Sequence, residues 1–457
     1  MFGLQNKFPA YSYSLRNILL ATGIITFILV VFSTFSLLQS RRNQHDFDYF
    51  HSPSSDSNPL LTVQGVDQLI QEHSYPRLAE LADFKGLGEL CKSAKSQHHV
   101  YLTCRHNVGG LMNVRNMILN CVRYAIEAGA YGLIFPQLEA RDPVEIVLVK
   151  TGQYKRMEFL FDEGWFRKVL EENCPQMKLF DHIDDVPRSG YATMPDVLTI
   201  QTLMGQPLGG ANGNLRNKKP HEFRSRFDAW LKTNKRRPSP SVPTIVRLDE
   251  RTLFSFAPTL DPPAVMNNFG FLLDFRLDLS GLANIIVDRL REDVKKAGGS
   301  EYLALHLRRE ADVAVQKEKW ATFDELANKS LSVAAADNIN LLYVASGDIE
   351  SVDELKVKAA KSGVRVVDKH DMLSEHEKEF LNTFAFDQQA IVDYLVLMHS
   401  NVFIGSGLSS FSSHLISRRE YLANITLTTG DHKYPTVERD ELVGPKGRLG
   451  YWDMDWP

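Results

Sequence analysis

The sequence lacks a strong excess of either charge. Its 457 residues carry 52 Lys and Arg against 56 Asp and Glu, which leaves a net charge of −4 at pH 7. A protein that holds nucleic acid through its phosphates usually presents a strongly basic face or domain. The charge balance therefore gives no reason to expect a nucleic-acid partner.

Cysteine is scarce as well. The chain has Cys91, Cys104, Cys121 and Cys174, with no CxxC pair and no Cys/His spacing typical of a zinc site. An even set permits two disulfides in an oxidising compartment, in any of three pairings, and buried free thiols are the alternative.

One stretch is apolar and long enough to cross a bilayer. Residues 17–40 carry no charge and contain ILLATGIITFILVVFSTFSLL, about the length that a spanning helix needs. We predict a transmembrane anchor there, because a signal peptide would have a shorter apolar core and a small-residue cleavage site. Residues 1–16 are then a cytosolic or lumenal tail, and the polar, Ser- and Pro-containing start of residues 41–95 predicts a flexible stem.

The residues around the anchor leave its orientation open. Lys7 and Arg16 precede it, and Arg41 and Arg42 follow it. Two sequons, at Asn328 and Asn424, accept glycans only if the large C-terminal part is lumenal.

From about His98 onward, short apolar runs alternate with amphipathic stretches. The first series consists of a predicted strand, HVYLTC, a helix and a second predicted strand, YGLIFPQL. A second series contains the predicted strands EYLALHLR, INLLYVASGD, VRVVD and NVFIGS. Strands alternating with helices predict parallel sheets covered on both faces. We predict an α/β fold with two Rossmann-like, doubly wound domains, residues 96–245 and residues 246–457.

The stretch VFIGSGLSSFSSHLIS, residues 402–417, begins like a dinucleotide-binding loop. That fingerprint needs a third glycine, where Ser410 stands, and several further strands, whereas only about fifty residues remain. The glycines and the start of a helix still suit an anion, to which Ser409, Ser410 and Ser412 add hydroxyl donors. The alternative is that Ser409 or Ser410 only caps the helix.

Polar residues also follow three other predicted strands, where parallel sheets bind ligands. His306 and Arg308 end LALHLRRE, although a structural histidine and a surface ion pair are the simpler interpretations of these two residues alone. The other two groups are Ser346 and Asp348 in YVASGDIES, and Gly109, Gly110, Asn113 and Arg115 in HNVGGLMNVRN. Together these strand ends predict an interdomain cleft suited to a nucleoside diphosphate.

The ordered set HLR, VASGD, GLSSFSSHLISRRE and GGLMNVR resembles the motifs of the GDP-fucose protein O-fucosyltransferase superfamily. FRLDLSGLANIIVDRLRE and WFRKVLEENCPQMKLFD look most like its fungal members. The resemblance runs from about residue 98 onward. It implies a glycosyltransferase-B type fold, an inverting transfer of fucose from GDP-fucose to a protein or glycan hydroxyl, and a single-pass enzyme of the Golgi or endoplasmic reticulum with its catalytic part in the lumen and its N-terminus in the cytosol.

The resemblance also implies roles for individual residues. Arg308 matches the arginine that contacts the β-phosphate and the departing oxygen, and His306 matches a histidine that touches the nucleotide. Ser409, Ser410, Phe411 and Ser412 match the loop that holds the pyrophosphate. Ser346 and Asp348 lie in the motif that reaches guanine or ribose. Gly109 and Gly110, in the glycine turn of the N-terminal, acceptor-side domain, are expected to bind GDP-fucose, and Asn113 matches a catalytic residue that orients the acceptor hydroxyl or the sugar.

The sequence departs from some relatives in one respect. CRHNVGG contains no acid where those relatives have a glutamate as general base, so either His106 substitutes, the transition state is dissociative and needs little base help, or the base lies elsewhere. We favour the dissociative transition state.

No metal or other cofactor is expected besides the donor GDP-fucose. Asp453 and Asp455, in WDMDWP, have the D-x-D spacing of manganese-dependent transferases, but those belong to a different fold. Two other classes of function stay open: a catalytically silent sugar-nucleotide or acceptor-binding protein, and a transferase that uses another nucleotide sugar.

Overall fold

The computed structural model of the protein describes residues 77–105, 107–142, 145–187, 195–205, 217–234, 236–249, 252–253, 255–310, 313, 320–429, 437–444 and 456–457, with only the backbone for 424–429. The predicted tail, the predicted anchor at 17–40 and the stem up to residue 76 lie outside these ranges, as do His106, Asp453 and Asp455. In the described ranges, no helix has both the length and the apolar character that a membrane span requires.

A five-stranded parallel sheet forms the centre of the N-terminal half, residues 77–249. Its strands are β1 (Gln97–Cys104), β2 (Ala130–Ile134), β5 (Lys178–Phe180), β6 (Asp196–Leu198) and β7 (Thr244–Leu248), in the order β5-β2-β1-β7-β6. A short antiparallel pair consists of β3 (Leu138–Glu139) and β4 (Tyr154–Lys155). The helices are α1 (Lys85–Ser93), α2 (Leu111–Ala128), α3 (Glu163–Asn173), α4 (Ile200–Met204) and α5 (Phe223–Thr233).

A second five-stranded parallel sheet forms the centre of the C-terminal half, residues 277–444. Its strands are β8 (Leu303–His306), β9 (Leu341–Ala345), β10 (Arg365–Val367), β11 (Val402–Ser406) and β12 (Glu441–Val443), in the order β10-β9-β8-β11-β12. The short helix α6 (Pro263–Met266) precedes this half. Its own helices are α7 (Leu277–Lys296), α8 (Phe323–Ala336), α9 (Ile349–Ala360), α10 (Lys369–Met372), α11 (Glu375–Leu381), α12 (Phe386–Met398) and α13 (Ser410–Thr429).

Side chains on neighbouring positions of β8 enter different cores. Leu303 and Leu305 pack in a core with residues of α8 and α9, whereas Ala304 faces a larger core that includes residues of α7, α12 and the N-terminal sheet. Burial on both faces explains why the strands read as continuous apolar runs rather than as alternating patterns. The prediction of an α/β fold with parallel sheets is confirmed.

Each sheet has a point at which the chain reverses its direction of winding. In the N-terminal sheet, β2 and then β5 lie on one side of β1, and β7 and then β6 lie on its other side. The C-terminal sheet has the same arrangement around β8 and β11. In open α/β sheets the crevice outside the carboxyl ends of these central strands is the usual ligand site.

The structure corrects the predicted domain limits at two places. Residues 77–95, assigned to the stem, fold onto the N-terminal half: Leu87 is buried, and Arg77 forms ion pairs with Asp162 (2.7 Å) and Asp274 (2.8 Å). The sequence pattern did not predict this short helix, because the residues before it are polar and the whole stretch was interpreted as stem. The boundary at 245 falls inside β7, which pairs with β1 as far as Leu248.

All four cysteines are paired, Cys91 with Cys174 and Cys104 with Cys121. The first disulfide ties α1 to the residue that follows α3, and the second ties the end of β1 to α2. These pairs select one of the three pairings that the sequence left open, and they exclude the free thiols.

Candidate active site

The strand-end residues of the C-terminal sheet meet at its reversal point. His306 is the last residue of β8, and its Nδ1 lies 2.7 Å from the hydroxyl of Ser412, in the first turn of α13. The His306 ring also packs against Phe411, with 4.5 Å between ring centroids. The structure therefore brings the HLR and SSF motifs into direct contact, as their placement after neighbouring strands predicts.

His306 is buried and uncharged at neutral pH. Burial lowers the pKa of its imidazole to about 4; the nearby Glu310 carboxylate opposes this effect and Arg308 adds to it. A neutral ring has one donor and one acceptor nitrogen. The contact with Ser412 occupies Nδ1, so the site offers a ligand a neutral hydrogen-bonding nitrogen rather than a positive charge.

Arg308 lies two residues beyond β8, and a buried carboxylate holds its guanidinium. Glu310 forms an ion pair with Arg308 and accepts hydrogen bonds from the backbone N–H groups of Arg309 (3.1 Å) and Gly347 (2.9 Å). Burial raises the pKa of Glu310, but Arg308, His306 and hydrogen bonds from the backbone N–H groups of Gly347 and of Glu310 itself outweigh this effect, and the net pKa is lowered. Glu310 is thus a fixed anion that orients Arg308.

Glu310 is the main residue of this site that the sequence analysis did not assign. Its signal was present in HLRRE, an acid two positions after the predicted phosphate-binding arginine. The structure also sets the Arg308 guanidinium 5.6 Å from the ring centroid of Trp320. Both contacts restrict the rotamers of a long side chain, which favours a defined geometry.

The loop after β11 lets α13 begin close to the sheet. A side-chain carbon added at Gly405 would lie 2.5 Å from the Ser412 hydroxyl and 2.7 Å from Phe403. Only glycine therefore allows this approach. Ser409 is almost fully buried, Ser410 and Phe411 are half-buried, and the start of this 20-residue helix offers unpaired N–H groups and a positive dipole end.

The turn after β9 is held by its own side chains. The Ser346 hydroxyl donates to Leu307 O (2.7 Å) and accepts from Asp348 N–H (3.1 Å). Asp348 accepts a hydrogen bond from Ser351 (2.6 Å), in the first turn of α9. With its single hydrogen in use, Ser346 can only accept from a ligand, whereas Asp348 is half-exposed and has a second oxygen.

The glycine turn of the N-terminal half follows β1. Gly109 adopts a φ of 119°, which residues with a side chain rarely occupy, and Gly110 precedes the first residue of α2. Asn113 lies in the first turn of α2 and is half-buried. Arg115, one further predicted residue of this turn, points away into the core, where it donates to Gly270 O (2.6 Å) and to Trp456 O (2.7 Å).

Among the described side chains there is no group of three or more His, Cys, Asp or Glu residues that could hold a metal ion. The reversal point of the C-terminal sheet instead collects an arginine, a neutral histidine, serine hydroxyls and a helix start. This set of groups suits the phosphates of a nucleotide.

Comparison with known proteins identifies the family. The sequence model of the GDP-fucose protein O-fucosyltransferase family matches residues 101–422, which is most of the chain. The chain therefore belongs to this family and is a glycosyltransferase by class. No curated protein sequence matches it.

Solved structures similar to this chain include POFUT1 in complex with GDP-fucose, at 12% identity over 76% of this chain and 98% of that one, with a TM-score of 0.44. POFUT1 in complex with GDP gives 13% identity, 76% and 99% coverage, and a TM-score of 0.41. A mutant of Arabidopsis thaliana FUT1 in complex with GDP gives 11% identity, 81% and 80% coverage, and a TM-score of 0.34. The family assignment rests on the sequence match.

Proposed function

We propose that this chain is a glycosyltransferase-B type enzyme that transfers fucose from GDP-fucose to a hydroxyl of a protein or glycan, with inversion at the anomeric carbon. The observation that carries the proposal is the contact of His306 with Ser412, which joins the HLR and SSF motifs at the reversal point of the C-terminal sheet. Family membership and the GDP-fucose bound to POFUT1 in a solved structure support the choice of donor.

Arg308 is the residue that we assign to the chemical step. The fucose C1–O bond breaks with its electron pair going to the β-phosphate oxygen, while the acceptor oxygen forms a bond to C1 from the opposite face. Negative charge therefore grows on GDP in the transition state, and a planar guanidinium can stabilise it with two aligned donors. Glu310 supports this role because it fixes the guanidinium.

The remaining residues are assigned to binding. Ser409, Ser410, Phe411 and Ser412, with the N–H groups at the start of α13, hold the pyrophosphate, and His306 donates to or accepts from the nucleotide as a neutral ring. Asp348 recognises guanine, because a carboxylate accepts hydrogen bonds from both N1–H and the exocyclic amine of this base. Gly109 and Gly110, in the N-terminal half that carries the acceptor side, contact GDP-fucose, and Asn113 orients the acceptor hydroxyl or the sugar.

The acceptor proton needs no strong base if the transition state is dissociative. In that case the C1–O bond to GDP is mostly broken before the acceptor oxygen bonds to C1, and the acceptor hydroxyl, which this bond makes strongly acidic, then gives its proton to water. No divalent cation is required if Arg308 and the start of α13 neutralise the pyrophosphate.

We assign the enzyme to the membrane of the Golgi or endoplasmic reticulum, with its N-terminus in the cytosol and residues 41–457 in the lumen. The two disulfides support an oxidising compartment, and the sequon residue Asn328 is exposed on α8. Glycosidase digestion of the protein made in cells is expected to increase its gel mobility, and a chain whose mobility does not change when the sequon asparagines are replaced would contradict this topology.

A ligand panel on the full chain tests the donor. GDP and GDP-fucose are expected to raise the melting temperature more than UDP and UDP-sugars do, equally with and without EDTA. Equal stabilisation by UDP, or a loss of the GDP effect in EDTA, would contradict the proposal. GDP binding without GDP release in the presence of acceptors would favour a silent binder, and release from a different GDP-sugar would favour another donor.

A further inference from the structure

An ion pair joins the two halves of the protein beside the candidate site. Arg141, in the N-terminal half, places its Nε 3.3 Å from an Asp387 carboxylate oxygen in the first turn of α12, in the C-terminal half. The side chains of Arg141 and Asp387 are 8% and 13% exposed, respectively, so water screens the pair far less than it would an ion pair on the surface.

On the N-terminal side, Arg141 is attached to the glycine turn. It follows β3, where the Glu139 N–H donates to Asn107 O (3.1 Å) and the Asn107 amide donates to Gln137 O (2.8 Å). Asn107 is two residues from Gly109. A side-chain carbon at Gly110 would lie 4.0 Å from the Arg141 guanidinium, so the guanidinium lies close to the turn.

On the C-terminal side, Asp387 is attached to the residues around Arg308. Its neighbour Phe386 lies with its ring centroid 5.7 Å from the Arg141 guanidinium, and this ring fills the space next to Gly347, where an added side-chain carbon would be 2.6 Å away. The Gly347 N–H in turn donates to Glu310, the partner of Arg308. An uninterrupted series of contacts thus connects the glycine turn to Arg308.

We propose that the Arg141–Asp387 pair is a positioning element that sets the distance between the glycine turn, with Asn113, and Arg308. The proposal deepens the proposed function and rests on it, because it assigns the two sides of the cleft to acceptor and donor. Misplacing two reacting groups by about 1 Å can cost on the order of a hundredfold in rate. Neither residue has to touch the substrate for this effect.

The test compares Asp387→Asn and Arg141→Gln with the wild-type full chain. Asp387→Asn keeps the shape of its side chain and loses its charge, whereas Arg141→Gln loses the charge and shortens the side chain. We expect kcat/KM for the acceptor to fall about tenfold to a hundredfold, while the Kd for GDP, measured by calorimetry, stays within about threefold. The double variant should be no worse than the more affected single variant, because both changes remove the same contact.

Two further variants separate positioning from general damage. Arg141→Lys keeps a charge near Asp387 and is expected to recover part of the lost kcat/KM. Glu377→Gln removes an ion pair with Arg289 (2.6 Å) that lies wholly within the C-terminal half, and it should leave the acceptor kcat/KM within about twofold. A loss of GDP affinity equal to the loss of kcat/KM, or wild-type kinetics in both charge-removing variants, would overturn the proposal.

Hydrogen exchange gives a measurement that does not depend on turnover. In Asp387→Asn, amides of residues 107–113 are expected to exchange faster than in the wild type, whereas those of β12 should not change. If the wild type transfers no fucose, the proposed function fails while this measurement still tests the contact. Unchanged exchange at residues 107–113 would overturn the positioning role.

Discussion

At the scale of single residues, a substitution of Arg308 distinguishes a transferase from a protein that only binds the nucleotide. Arg308→Lys keeps a positive charge beside GDP but cannot present two parallel donors. Loss of a well-placed transition-state donor costs roughly a hundredfold to a thousandfold in turnover, or about 3 to 4 kcal/mol, while ground-state binding changes less. We therefore expect this loss in the rate of GDP release from GDP-fucose with acceptor, and a much smaller change in the Kd for GDP.

Arg365→Lys serves as the control for Arg308→Lys, since Arg365 is an exposed residue of β10 that pairs with Asp293. It should retain wild-type turnover. Wild-type turnover in Arg308→Lys would exclude the assigned role, and equal losses of GDP affinity and turnover would make Arg308 a binding residue only.

His306 predicts a pH dependence of stability. Its pKa of about 4 in the folded protein lies below its ordinary value near 6.5, so the unfolded chain takes up the proton first as the pH falls. The stability that the neutral ring contributes is complete above about pH 6.5 and is lost as the pH falls towards 4. The total is about 3 kcal/mol, since one pKa unit corresponds to about 1.4 kcal/mol.

The measurement for His306 is the difference in free energy of unfolding between the wild type and His306→Asn, from urea titrations at several pH values. We expect the wild type to lose about 1.4 kcal/mol of unfolding free energy relative to the variant for each pH unit below 6.5. A difference that stays constant from pH 7 to pH 4.5 would mean that His306 is not held neutral in the folded state.

At the scale of elements, the sequence indicated the strands and helices that carry the site, because their apolar runs and the polar residues after them are local features. It did not reveal α1, because this helix has only nine residues, two of them glycines, and lies within the stretch that was predicted to be stem. Nor did it reveal the Arg141–Asp387 pair, because 246 positions separate the two residues and no local pattern links them. Glu310 lies within HLRRE, but its role depends on the Gly347 N–H, which only the fold brings near.

The close packing of α13 against β11 predicts the effect of a larger residue at position 405. Gly405→Ala places a carbon about where Ser412 now packs, so α13 must shift away from the sheet or Ser412 must leave His306. We expect GDP affinity to fall at least tenfold, because the start of α13 carries the proposed pyrophosphate contacts. Thermal-shift and calorimetric titrations with GDP measure this change.

Gly88→Ala is the matched control for Gly405→Ala. A carbon at Gly88, in α1, would meet its nearest neighbour at 3.7 Å, an ordinary contact, and alanine favours a helix more than glycine does. This variant should bind GDP like the wild type and be slightly more stable. Unchanged GDP affinity in Gly405→Ala would show that α13 does not form the phosphate site.

At the scale of the whole molecule, the two sheets share one hydrophobic core, and residues 456–457 lie where the halves meet. The Trp456 indole N–H donates to Asn120 on α2 (2.9 Å), and its carbonyl accepts from Arg115, which also contacts His414 on α13 (2.6 Å). Burial and the charges of Arg115 and Arg418 hold the pKa of His414 well below its usual range, so His414 adds no further positive charge to this junction. Elements from both sheets therefore depend on the same buried contacts.

This junction predicts that the halves unfold together and that Trp456 stabilises both. Trp456→Ala removes a fully buried indole and is expected to cost about 3 to 5 kcal/mol, whereas Trp456→Phe should cost less because most of the buried area remains. Hydrogen exchange of peptides from β1 and β8, followed at increasing urea concentration, distinguishes the halves. Both peptides should lose protection at the same urea concentration in the wild type, and both should shift to lower urea by the same amount in Trp456→Ala. A shift confined to one sheet would mean that the halves fold as separate domains, and the geometry of the cleft between them would then depend mainly on direct contacts such as Arg141–Asp387.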